Sequence, residues 1–396
     1  MSGSQMARQN TPNSGGTSGQ QLLQQNSAAR AAILAQAQNM VQSVAGATIT
    51  TPGTTNNVVN VSPRLVGFLK RFIIEISATI TNNDPANDIA LTNLGPANIL
   101  SSVVFTDLSN NVRVQTTGAH LHLLASAKRN RPFGSAFLSD SPVNFGSNYN
   151  VIKAPSTIAK NGGTGTINMM VEVPITYSDT DFRGGIWLGV TNATANLQFT
   201  INPTPGVAAG SDQTNAIYGG SGSVVISSIT YNVYQNYLDQ LPATQQGIVL
   251  PINDISTVYL LNNTTQTGMV ANQEFPVPYA NFRDFLSTFA IFDNGGTLNP
   301  GTDISYWALQ AANYVNTLKV DPAILALWSR NMIQDDWPPG ITYFSHRHKP
   351  ISTIQYGNQE LILNASTVNA NAKLFVLYES FALVNLIAQA GALAIA

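Results

Sequence analysis

The chain has 396 residues, 44% of them hydrophobic and only 10% charged, with a formal net charge of −2 and no cysteine. That length accommodates two cores of ordinary size, and the lack of cysteine excludes a disulfide framework or a thiolate metal site. No basic run exceeds Lys70-Arg71 and Lys128-Arg129-Asn130-Arg131, which argues against a groove that tracks phosphates and so against direct nucleic-acid binding.

Residues 1–20 are Ser, Gly, Asn, Gln and Thr with almost nothing apolar, the composition of a flexible arm. From Gln21 to Ala45 there is no Gly or Pro, and Ile33, Ala37, Met40 and Val44 recur at helical spacing beside Leu34 and Val41. The expectation is an amphipathic helix that packs on the body of the protein or docks on a neighbour. With Arg30 its sole cation, attraction to anionic lipid would be weak. A linker follows to about residue 55, and a first β-rich half spans 56–240. Its opening run, LVGFLKRFIIEISATI (Leu65–Ile80), alternates Phe72, Ile74, Ile76 and Ala78 with Ile73, Glu75, Ser77 and Thr79, the period of a strand. Further strands are expected at 88–94, 99–106, 112–116, 143–152, 166–174, 186–190, 195–202 and 223–235, with one helix, GAHLHLLASAKR, between them. Short strands punctuated by Asn, Asp, Gly and Pro describe a sandwich or barrel, and eight strands in two sheets describe a jelly roll.

The stretch ITYNVYQNYLDQLP (Ile229–Pro242) is the joint of the chain. Its alternation stops at Gln235; Tyr237, Leu238, Asp239, Leu241 and Pro242 then form a connector in which Pro242 favours an extended exit. Its rigidity is expected to set the angle between the two halves. A second half, 241–384, repeats the pattern, with strands at 247–252, 257–261, 275–278, 285–292, 341–344, 351–355, 361–363 and 373–378, a long loop after Phe292, and a helix over 321–335 capped by Asp321 with Pro322 at its first position. A short echo, Ala97-Asn98 before a strand ending at Phe105 and Ala280-Asn281 before one ending at Phe292, is consistent with duplication. The apolar tail, 385–396 and the few residues before it, is short for a membrane span and carries Asn385 and Gln389. The N-terminus shows no apolar signal-peptide core, so export by that route is not expected.

Candidates for chemistry are few. The pairs His120/His122 and His346/His348 have metal-like spacing, but no Glu follows where a cupin would place one, and the first pair sits in a helical pattern that sends the two rings to different sides. Both are read as structural histidines. Asp179/Asp181 and Asp335/Asp336 lack the apolar setting that would split their pKa values and are read as solvated loop charges. No nucleophile elbow, phosphate loop or dinucleotide fingerprint occurs. Trp307, Trp328 and Trp337 are placed in the core or a subunit interface rather than on a sugar-stacking face. No catalytic residue, metal site or cofactor is expected.

The segments YNVYQNYLDQLP (231–242) and FDNGGTLNPGTDISY (292–306), with LTNLGPAN (91–98), HLHLLASAK (120–128), DSPVNFG (140–146), YSDTD (177–181) and IQYGN (354–358), make the chain similar to the major capsid proteins of tectiviruses. These are tailless icosahedral bacteriophages with double-stranded DNA and a membrane beneath the shell. The resemblance implies an all-β double jelly roll that assembles as a homotrimer, six rolls making a pseudo-hexagonal block that contacts neighbouring trimers, penton proteins and minor capsid or membrane proteins. It implies a virion location, assembly in host cytoplasm, and an N-terminal helix at the shell base near the internal membrane. By position that helix would include Leu22, Leu23, Ile33, Leu34, Met40, Val41 and Val44. The competing reading is a jelly-roll spike that binds carbohydrate or a receptor.

Overall fold

The computed structural model describes residues 19–50, 52, 57–129, 151–189, 194–202, 205–208, 215–245, 247–296, 301–311, 315–333, 337, 340–347 and 350–383. The arm before residue 19, most of the strand expected at 143–152, His348, Asp335/Asp336 and the tail from 384 lie outside the described residues.

The first half holds eight principal strands: β1 (Gln38–Ile49), β2 (Asn57–Val61), β3 (Phe68–Asn82), β4 (Leu100–Thr106), β5 (Val112–Thr116), β6 (Gly163–Pro174), β7 (Asn196–Ile201) and β8 (Val224–Asp239). The second holds eight more: β9 (Thr257–Gln266), β10 (Glu274–Pro278), β11 (Asp284–Asp293), β12 (Ile304–Ala311), β13 (Val315–Val320), β14 (Ile341–Ser345), β15 (Gln359–Ala365) and β16 (Lys373–Leu383). One sheet of the first half runs β1-β8-β3-β6 and its counterpart in the second runs β9-β16-β11-β14; the facing sheets run β2-β7-β4-β5 and β10-β15-β12-β13. The same ordinal strands occupy the same places in both halves, so the chain is a double jelly roll. A helix follows the fifth strand each time, α2 (Gly118–Arg129) after β5 and α4 (Pro322–Ile333) after β13. The sequence echo, by contrast, aligned the fourth strand of one roll, β4, with the third strand of the other, β11. Those strands are not equivalent.

The rolls are fused at a seam. Edge strand β5 pairs parallel with edge strand β9 through Val114↔Leu261 and Gln115↔Asn262, so one continuous sheet crosses from half to half. Strand β11 is buried on both faces because Phe285, Ala290 and Phe292 join the second roll's own core while Leu286, Phe289 and Ile291 pack into the first roll's.

Three expectations are corrected. The N-terminal helix, α1 (Gly19–Gln36), stops nine residues short of Ala45. Met40, Val41 and Val44 instead lie in β1, whose backbone pairs with β8 from Gln38↔Asp239 to Ile49↔Ile229. Helical spacing there loses to sheet pairing, since β1 lies against β8 along its whole length and Asn39 accepts a side-chain hydrogen bond from Asn236 (2.9 Å). The first roll therefore begins at Gln38 rather than 56. Next, Tyr237, Leu238 and Asp239 belong to β8, which runs past Gln235 and pairs with β3 on its other side through Tyr237↔Leu69 and Leu238↔Phe68. It ends where Gln240 takes a left-handed backbone (φ 50°), leaving Leu241 and Pro242 as connector. Last, the long loop after Phe292 contains β12 and β13. Trp307 and Leu309 face the core there and pair with β15 at Leu363 and Leu361.

Candidate assembly surfaces

Helix α1 lies on the junction of the two rolls. Its Ile33 is fully buried in a small cluster with Phe68, Phe182 and Leu238, flanked by Ala37, Leu241, Leu250 and Ile255; seating that side chain stabilises the docked helix by about 1.5–3 kcal/mol. Arg30 fixes the orientation. Its guanidinium grips the Asp254 carboxylate with two nitrogens and reaches Asp181 at 3.2 Å, while Asn26 donates to Asp254 at 3.0 Å. Asp254 sits in the short helix α3 (Ile252–Ile255) that opens the second half, so one arginine ties α1 to both halves. Of the residues assigned to the shell-base helix, Leu23 and Leu34 point to solvent, as do Met40 and Val41 on β1; Val44 is half-buried. Leu22 is helical, and its side chain lies outside the described residues.

Between the rolls sits a buried ionic cluster. Glu379 on β16 is fully enclosed; it accepts from Tyr259 (2.7 Å) and Ser287 (2.6 Å) and pairs with Lys128 (2.9 Å) and Arg347 (3.5 Å). Lys128 arrives from the first roll at the last turn of α2, also donates to the Tyr259 hydroxyl (2.8 Å) and the Tyr177 carbonyl (3.0 Å), and lies over both aromatic rings. Arg347 returns the link by donating to the Ala127 carbonyl (3.2 Å). Burial alone would push the Glu379 carboxyl up, but Lys128, Arg347 and the Ser287 hydroxyl outweigh it and hold the group at about 2. Burial likewise pulls the Lys128 ammonium down, opposed by Glu379. The two rolls are thus joined by a shared sheet and a desolvated charge network as well as by the connector. One sequence signal pointed here: Glu379 is the only charge in the apolar run LFVLYESFALV (374–384), and a buried charge requires a partner.

His120 and His122 are buried in α2; the His120 ring bonds the Thr116 hydroxyl through Nδ1 and packs edge-on against Phe289 of the second roll, and its Nε2 has no hydrogen-bond partner among the described residues. Burial depresses His120 to about 3 and His346 to about 4. No group of three or more metal-ligating side chains exists among the described residues. Asp179 is an exposed loop charge that also pairs with Lys70 (2.9 Å) and Arg71; Asp181 departs from that reading, being partly buried and paired with Arg183 (2.6 Å) as well as Arg30. Trp307 is buried, Trp337 packs on Phe289 and Tyr343, and Trp328 is exposed.

Comparison with known proteins agrees with this architecture. The family described as P3 major capsid protein N-terminal matches residues 5–241, and P3 major capsid protein C-terminal matches residues 256–394. The chain is 42% identical over 366 residues, 91% of its length and 92% of the relative's, to major capsid protein P3 of Enterobacteria phage PRD1. In fold it is similar to a chain in the atomic structure of Sulfolobus Turreted Icosahedral Virus (13% identity, 88% and 91% of the two chains, TM-score 0.61). It is also similar to a chain of the PBCV-1 virus capsid (12% identity, 87% and 94%, TM-score 0.55).

Proposed function

The chain belongs to the P3 major capsid protein family and is a structural protein of the virus shell rather than an enzyme; from that premise we propose that its working unit is a homotrimer in which six rolls form a pseudo-hexagonal block. The observation that supports this is the repetition within one chain: two rolls of the same strand order, held in fixed relation by the seam and the Lys128–Glu379–Arg347 network. A rigid pair of similar units needs only three copies to approximate six-fold symmetry, and closed cyclic assembly is the common outcome for such subunits.

The trimers contact one another, penton proteins and minor capsid or membrane proteins, and assemble in host cytoplasm. In this reading α1, with Leu23 and Leu34 outward, forms the shell base on the side of an internal membrane. Light scattering of the purified full chain tests the unit directly, with an expected mass near 127 kDa, from 3 × 42.2 kDa. A monomer at micromolar concentration overturns it.

A further inference from the structure

We infer that the contact between subunits repeats the contact within the subunit: β13 and α4 of one copy seat on β1 and the outer face of the first roll of a second copy. The inference rests on the trimer reading and specifies its interface.

The two rolls can be superposed residue by residue from their hydrogen bonding alone. In the first, the β3–β8 ladder skips Lys70, so that Leu69↔Tyr237 is followed by Arg71↔Asn236. In the second, the β11–β16 ladder skips Leu286 at the same place, Phe285↔Ser380 being followed by Ser287↔Glu379. Asn236 therefore corresponds to Glu379. Across the next ladder Asn236 faces Val41 and Glu379 faces Leu261, so Val41 corresponds to Leu261, and Gln42 to Asn262. On the other side, β5 ends at Thr116 two residues before α2, and β13 ends at Val320 two residues before α4. Leu318 and Lys319 thus correspond to Val114 and Gln115, and His120, Leu123 and Leu124 correspond to Ile324, Leu327 and Trp328.

Burial differs between the members of the apolar pairs in one direction. Leu261, at the seam, is 0% exposed, whereas Val41 is 47% exposed. His120, Leu123 and Leu124 are 0%, 0% and 2% exposed, whereas Ile324, Leu327 and Trp328 are 46%, 57% and 53%. In the first roll these helix positions are covered partly by the second roll, as the His120–Phe289 contact shows. In the second roll nothing among the described residues covers the corresponding positions. Edge strands β13 and β1 are likewise the counterparts of the two edges that already meet as β5 and β9, and each ends its sheet. An apolar helix face of this kind on a soluble protein marks a contact surface. The complementary seat is also present. A cavity of about 270 Å³ beside α1, lined in part by Leu34, Asn39, Lys70, Arg71, Asp179 and Asn236, contains Asn236, the counterpart of the Glu379 that binds Lys128 at the end of α2 inside the chain, and Arg71, the counterpart of the Ser287 that bonds Glu379. The occupant is the last turn of α4 from a second copy. Because the contact joins different surfaces, it is head-to-tail and closes as a ring.

Cysteine substitution tests this cleanly in a chain that has none. Neighbouring strands hold Cα atoms within disulfide range, so the double variant Gln42→Cys/Lys319→Cys should, on oxidation, give a covalent ladder that stops at three chains, while each single variant stays unlinked. Dimers alone, or no intermolecular bond in a protein that still scatters as a trimer, would overturn the interface and leave the trimer intact. As a second arm, Leu327→Asp/Trp328→Asp changes exposed positions and should keep its circular dichroism while shifting from trimer to monomer at low micromolar concentration. A folded variant that remains trimeric would overturn the interface. A wild-type protein that is itself monomeric would instead sink the trimer reading.

Discussion

Glu379→Gln isolates what holds the two rolls together. The side chain keeps its shape and loses its charge, so the Lys128 ammonium 2.9 Å away and the Arg347 guanidinium at 3.5 Å are left in a closed site without a counter-ion. Removing one partner of a buried pair costs about 3–5 kcal/mol. With about 2.1 cal/mol/K of unfolding entropy per residue, 396 residues unfolding as one unit give about 0.8 kcal/mol/K. The melting midpoint should therefore fall by about 4–6 °C. Scanning calorimetry at one fixed protein concentration is the assay, since association makes the midpoint concentration-dependent. Adding Lys128→Met to Glu379→Gln removes a stranded cation, and a coupling of about 1–3 kcal/mol is expected from the cycle. If Glu379→Gln costs less than about 1 kcal/mol, or costs the same in both backgrounds, the network is hydrated and does not fix the rolls.

Acid should weaken the fold through the histidines. His120 and His346 are depressed to about 3 and 4 by burial, below their ordinary 6.5, so the unfolded chain binds protons first as pH falls. Their stabilisation is complete above 6.5 and declines from 6.5 to about 4 for His346 and to about 3 for His120, with a slope of up to about 1.4 kcal/mol per pH unit per group; melting of His120→Leu against wild type from pH 7 to 4.5 should show a shallower slope. Arg30→Ala strands the buried Asp254 carboxylate at a loss of about 1–3 kcal/mol, and limited proteolysis should then cut α1 early while the trimer mass, less the fragment, persists. Inserting Gly-Ser after Gln240 should leave trimers normal, because the seam and the ionic network rather than the connector set the geometry; failure to trimerise would restore the connector to that role. Deleting residues 1–36 removes α1 but spares β1, and is expected to give trimers that form no shells in electron micrographs.

Much of the architecture was legible because period-two alternation is local. Phe72, Ile74, Ile76 and Ala78 point inward from β3 as their spacing requires, and Asp321-Pro322 announced α4 with its cap, the Ala323 amide donating to the Asp321 carboxylate at 2.7 Å. What was hidden depends on distant partners. Met40 and Val44 fit a helix equally well, and only pairing with β8, nearly two hundred residues on, makes them strand. The FDNGGTLNPGTD motif reads as loop from its turn residues, yet Asn294 is fully buried and donates to Asp303 (2.7 Å), so the described residues 292–296 and 301–303 pack together at the start of β12. Lys128, Arg347 and Glu379 come from three remote segments, and nothing in their local sequence pairs them.

The Lys128–Glu379–Arg347 network and the Ile324–Leu327–Trp328 face also divide the labour of assembly in time. Rolls joined by a short tether meet at an effective concentration near the millimolar range, and that encounter needs no partner from solution, so the slow stripping of water from three charges can be completed during folding. A contact that must form between separate molecules, and must be undone when a subunit joins wrongly, is better made from uncharged groups with little hydration to remove. Placing the costly desolvation inside the chain and the reversible apolar contact outside it lets each copy mature before it commits, while misplaced copies can still leave the growing lattice.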